Sequence, residues 1–256
     1  MQKTIIILLM ILFLYYLNVF GQKRLNNLRN NANFAWVVDS IETNVMVYYE
    51  MNSYAEKHKT ILKERIQYHI KSTSDFMGLE AYNKPIHYFI VENRSRMKLL
   101  VGYETNGLAN FKNHLVAAIF SEKINAVTNH ELFHLMAANS WGYPETWINE
   151  GMAVYADAQW YGYHLHELSK YLIDNDTFIS LDNMAKKLRK YDAMLTYPLL
   201  GSFAKFIDET YGRATIQLIW LKGRKQMKKH IGKHLDELER EWLEMLQSVK
   251  YKDIHY

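Results

Sequence analysis

The chain has 256 residues, 49% of them hydrophobic and 23% charged, with three prolines, eleven glycines and no cysteine. That balance fits one globular domain or two small lobes; it excludes collagen-like, low-complexity and disordered classes, and no internal repeat is visible. The net charge of +4 is too small to name an acidic partner, and the lack of cysteine excludes disulfides, thiolate ligands and thiol nucleophiles.

In chain order, the first element is Lys3 followed by an unbroken apolar run from Ile5 to Leu17. Val19 and Gly21 supply small residues for cleavage before Gln22, so residues 1–21 read as a secretory signal peptide. The same run is only slightly shorter than the roughly 20 residues that span a bilayer, so an uncleaved membrane anchor is the competing reading. Either way the expectation is an exported protein, periplasmic, in the cell envelope or secreted, and the lack of disulfides fits a bacterial one.

Val45 to Glu50 predicts a strand. Ser53 and Glu56 form a capping box that opens a helix in which Leu62, Ile66 and Ile70 recur every fourth residue, ending near Met77-Gly78. Ile86 to Val91 predicts a second strand, Arg94 to Leu100 a short helix, and His114 to Phe120 a third strand. From Ile124 onward the pattern is helical, with breaks at Gly142-Tyr143-Pro144, around Asp174 to Leu181, and at Gly212 and Gly223. Strands first and helices after predict an α+β protein, with a small N-terminal sheet lobe over residues 22–122 packed on a mainly helical lobe over 123–256 and a cleft between them.

Asn129-His130-Glu131-Leu132-Phe133-His134 contains H-E-x-x-H. Four residues are a little over one helical turn, so both imidazoles project from one face and can grip one ion. A catalytic zinc takes a third protein ligand and keeps its fourth position for water. Trp147-Ile148-Asn149-Glu150-Gly151-Met152-Ala153 offers that ligand as Glu150, after a break that lets the chain turn back, with Gly151 permitting close helix approach. Two imidazoles and one carboxylate suit a single Zn²⁺ better than manganese or cobalt.

These residues resemble the gluzincin metallopeptidases of the peptidase MA-like group, in which H-E-x-x-H is followed by W-x-x-E-G-x-A-x-Y, here Trp147 through Tyr155. The resemblance runs on through Tyr197-Pro198-Leu199-Leu200-Gly201-Ser202-Phe203, Tyr211-Gly212 and Leu235 to Trp242, about half the chain, and only the two metal segments are specific. It implies a thermolysin-like fold, one zinc on His130, His134 and Glu150, and hydrolysis of a peptide or protein substrate with Glu131 as the base that activates water. It also implies Tyr197 as a donor to the reacting carbonyl. The aminopeptidase branch holds the substrate amine with a G-x-M-E-N glutamate, whereas Gly107-Leu108-Ala109-Asn110-Phe111 has none, so exopeptidase and endopeptidase action are both open. Val154 stands where thermolysin has an aspartate that orients a zinc histidine, which leaves Asp157 as the nearest substitute.

A non-catalytic envelope protein that keeps zinc and binds a partner peptide is the rival reading. His230 and His234 share the four-residue spacing but lack the glutamate, and the lysine-rich run from Lys222 to Lys229 lacks interleaved aromatics, so nucleic acid is not an expected partner. The His114 to Phe120 strand is expected at the sheet edge beside the metal, where an extended peptide could pair.

Overall fold

The computed structural model describes residues 25–252 and 254–256; the expected signal or anchor segment lies outside the described residues. Among those described, no helix is long and apolar enough to cross a membrane. The protein is α+β, and it divides into two compact units, Met1–Met136 and Ala137–Tyr256. The division falls inside a helix, fourteen residues beyond the boundary expected from the strand-to-helix change at 122/123.

In the first unit a helical segment at residues 25–29 (α1) precedes β1 (Trp36–Ile41), β2 (Val45–Glu50), α2 (Tyr54–Lys57), α3 (Lys59–Met77), β3 (Ile86–Val91), α4 (Arg94–Val101), β4 (Gly107–Asn110) and β5 (Leu115–Ile119). The three strands predicted from apolar runs are the parallel centre of a sheet ordered β1-β2-β3-β5-β4, whose outer strands run antiparallel. Strands covered on both faces read as continuous apolar runs, and β5 is buried at all five positions. β5 is therefore not the edge strand expected from the sequence. That place belongs to β4, which is short and only half-buried, and carries no apolar run to announce it. β1 escaped for a similar reason, since Asp39 and Ser40 interrupt its apolar residues and only Ile41 of the six is buried.

One sheet face is closed by Tyr48, Phe89, Val91, Leu115, Ala117 and Ile119 with Leu28, Met97 and Leu100; Tyr48 and Phe89 stack at 4.3 Å. Because strand side chains alternate, Val116 and Ala118 face the other way, and so does Gly107, which pairs with Ala118. The helix predicted from Ser53 is broken at His58, whose Nδ1 lies 2.8 Å from the Tyr54 carbonyl. α3 then runs to Met77 and stops at Gly78, held at φ 69° where glycine carries no Cβ penalty.

α5 (Asn129–Ser140) spans the division. The second unit continues with α6 (Thr146–Ala156), β6 (Gln159–Trp160), β7 (Tyr163–His164), α7 (Leu165–Asp174), α8 (Leu181–Lys187), α9 (Ala193–Tyr211), α10 (Arg213–Lys222), α11 (Met227–Ile231) and α12 (Leu235–Gln247). Every predicted break is present. The β6–β7 hairpin was not foreseen; it turns through Tyr161 and Gly162, both at positive φ.

α6 and α9 make the most intimate helix pair of this unit, and glycines let them meet. A Cβ on Gly151 would lie 2.8 Å from the Leu200 carbonyl oxygen, and one on Gly201 would lie 2.5 Å from Val154 Cγ1. Pro198 inside α9 cannot donate to the carbonyl of Met194, four residues back. The Tyr256 hydroxyl donates to that carbonyl instead, so the loss is made good.

Candidate metal centre

α5 is buried along most of its length: Leu132, Phe133, Leu135, Met136 and Ala137 are fully enclosed, and Phe133 meets the edge of Phe76 at 5.8 Å. In its first two turns His130, Glu131 and His134 are half-buried, and they form the polar group of a helix whose other residues from Leu132 to Ala138 are apolar. Leu132 and Phe133, between them in sequence, anchor the opposite side. The H-E-x-x-H segment thus presents its three polar groups together because its apolar residues have only one way to be buried.

The first turn is pinned. Asn129 is buried, its Oδ1 lies 2.7 Å from His69 Nδ1 of α3, and its Nδ2 donates to Ser72 Oγ at 3.3 Å. The His130 N–H donates to Thr128 Oγ1 at 3.3 Å. Asn129 and His69 were not singled out from the sequence, since nothing local to α3 signals a partner about sixty residues away.

His130 and His134 Nε2 atoms face each other at 3.1 Å, with the rings edge to face at 4.7 Å. Two nitrogens each about 2.0–2.1 Å from a tetrahedral zinc stand about 3.3 Å apart, so the imidazole pair is already spaced to share an ion. Glu150 of α6 completes the set: one ligand atom from each of His130, His134 and Glu150 lies within 4.8 Å of the others. Two imidazoles with one carboxylate are a donor set that zinc accepts.

Glu150 is held by its neighbours on α6, where Trp147, Ile148, Gly151 and Met152 are buried. Trp147 donates its indole N–H to Glu145 Oε2 at 2.6 Å, at the start of the helix. Glu131 lies beside β4, close to the bare Cα of Gly107. Gly107 was visible in the sequence only as the start of a stretch lacking an amine-binding glutamate.

Among the other residues singled out, Tyr197 is half-buried in α9 with its ring 5.5 Å from Trp160. The Tyr155 hydroxyl donates to Asp208 at 2.9 Å, and burial together with that carboxylate raises its pKa. Asp157 caps the end of α6, two helical turns past Glu150. His230 lies in the last turn of α11 while His234 caps α12, so that pair shares no helical face. A Ser202–His166–Glu209 array also occurs, with His166 Nδ1 2.8 Å from Ser202 Oγ. Ser202 is fully buried and accepts the Trp242 N–H at 3.0 Å, which makes this array packing and not a nucleophile.

The chain matches no family model and no curated protein at a significant level.

Proposed function

We propose that the protein is an exported zinc-dependent peptidase of the gluzincin type, with a thermolysin-like arrangement, in which His130, His134 and Glu150 hold one zinc ion. The observation that carries the reading is the convergence of those three ligand atoms, led by imidazole nitrogens 3.1 Å apart. When bound, zinc supplies Lewis acidity, lowering the pKa of water toward about 7 and polarising a carbonyl.

The protein's own groups do the rest. The neutral imidazoles offer their Nε2 lone pairs, and the Glu150 carboxylate offsets the charge of the ion. Glu131, on the same face and one residue from His130, accepts the proton of the attacking water at its carboxylate and returns it to the leaving amine. Tyr197 is the proposed hydroxyl donor to the reacting carbonyl oxygen. A peptide substrate is supported by β4, which is the outermost strand on its side of the sheet and offers main-chain groups to an extended chain.

The test is zinc content together with cleavage of an unstructured protein, with and without chelator, for the native sequence and for Glu131→Gln. One equivalent of zinc, chelator-sensitive cleavage, and a loss of about 10²–10⁴-fold in Glu131→Gln with zinc retained are the expected results. Zinc without cleavage of varied substrates would favour a non-catalytic zinc protein that binds a partner peptide, and no zinc would refute both.

A further inference from the structure

We infer that Gly107 of β4 is a positioning residue for Glu131: its missing side chain leaves the seat that the Glu131 side chain occupies. The catalytic part of this inference rests on the peptidase reading, and the structural part does not.

A Cβ at Gly107 would lie 2.6 Å from Glu131 Oε1, 2.8 Å from its Cγ and 3.0 Å from its Cδ, all closer than ordinary van der Waals contact. Gly107 is not among the glycines at positive φ, so the backbone conformation does not call for glycine. Glycine also weakens a strand, which makes its presence in a four-residue edge strand a cost to the sheet. Space for Glu131 is the requirement that remains.

Neither backbone is placed to yield. The Thr105 hydroxyl donates to the Gly107 carbonyl at 2.8 Å, the Ile119 N–H donates to the Asn106 carbonyl at 2.9 Å, and Arg94 Nε donates to Asn106 Oδ1 at 2.8 Å. Ala118, directly opposite Gly107 on β5, is itself small and fully buried. On the other side α5 is fixed by Asn129 against His69 and by the buried Leu132 and Phe133. A methyl group at 107 therefore displaces the flexible part of the contact, the Glu131 side chain, and leaves His130 and His134 where they are. The bare Cα of Gly107 thereby sets where the carboxylate stands relative to the imidazole pair, acting through the Glu131 side chain.

The experiment is Gly107→Ala in the zinc-loaded full chain, read by crystal structure, zinc content and steady-state kinetics, alone and combined with Glu131→Gln. The expected results are a Glu131 carboxylate moved by about 1 Å, unchanged zinc content, KM within about twofold, and kcat lower by about 10- to 100-fold. On the Glu131→Gln background Gly107→Ala is expected to add nothing, because both act through one side chain. An unmoved carboxylate, an unchanged kcat, or an equal fold-loss on both backgrounds would overturn the inference. If the native protein cleaves nothing, the peptidase reading fails, while the position of the carboxylate in Gly107→Ala still decides whether Gly107 seats it. Should Gly107→Ala not fold, Gly107→Ala with Glu131→Ala returns the space and is expected to fold; if that double variant also fails, glycine is needed by the strand itself and the inference is overturned.

Discussion

Replacing Gly151 by alanine sets two effects of opposite sign against each other at the α6–α9 crossing. Alanine is the better helix former by about 1 kcal/mol, so a loosely packed site would gain stability. Here the new Cβ would meet Leu200 backbone, 2.8 Å from its carbonyl oxygen and 3.1 Å from its carbonyl carbon. Backbone inside a helix cannot rotate away as a side chain can, so α6 has to move out by about half an ångström or more, and overpacking of this kind costs about 1–3 kcal/mol. With a backbone carbonyl as the obstacle the upper end applies, and the net expectation is a loss of about 2 kcal/mol. For a chain of this size that is a fall of about 4–8 °C in the thermal midpoint. Glu150 is the preceding residue, so the shift carries the proposed zinc ligand with it, and zinc affinity is expected to fall about tenfold. Thermal unfolding of the metal-free protein and competitive zinc titration measure the two effects separately. A Gly151→Ala protein that melts higher than the native one, with the same zinc affinity, would refute the close crossing.

Asn129→Ala removes the contacts of a buried amide with His69 and Ser72; the expected cost is about 1–3 kcal/mol in denaturant unfolding, with a fall in activity as the first turn of α5 loosens. An unchanged unfolding midpoint would show that Asn129 does not pin the helix. Acid sensitivity should come from His87, whose pKa burial lowers to about 4, with Arg29 3.1 Å away and His114 nearby adding to the effect. The unfolded chain takes up this proton near pH 6.5 and the folded one only near pH 4, so stability is full above about 6.5 and is lost as pH falls through that window. At about 1.4 kcal/mol per pKa unit, reduced for partial solvent exposure, the loss is about 2 kcal/mol by pH 4. Metal-free protein melted at pH 7 and at pH 4.5 should show a smaller drop for His87→Gln than for the native chain, and equal drops would discard the assignment.

Apolar periodicity placed β2, β3, α3, α4, β5 and the breaks of the helical half, because strands and helices that bury a face must carry that face in sequence. The spacing of His130, Glu131 and His134 was legible for the same reason: four residues on a helix define one face whatever surrounds it. What local pattern could not carry was which strand lies outermost. β5 is more apolar than β4, yet only the pairing order decides that β4 is the edge and that its Gly107 lies under Glu131. Glu150 could be named from its motif, but its approach to the imidazoles depends on where α6 runs, and Gly151 and Gly201 allow that helix to sit tightly on α9. The His69–Asn129 contact and the Tyr256 hydroxyl that takes the place of Pro198's missing donor join residues about sixty apart. Sequence by itself determined the donor types and the helical face that carries them, since both are local properties of a few residues. Tertiary structure alone decided how closely the backbones approach, because that distance is set by the absence of side chains on two different elements at once.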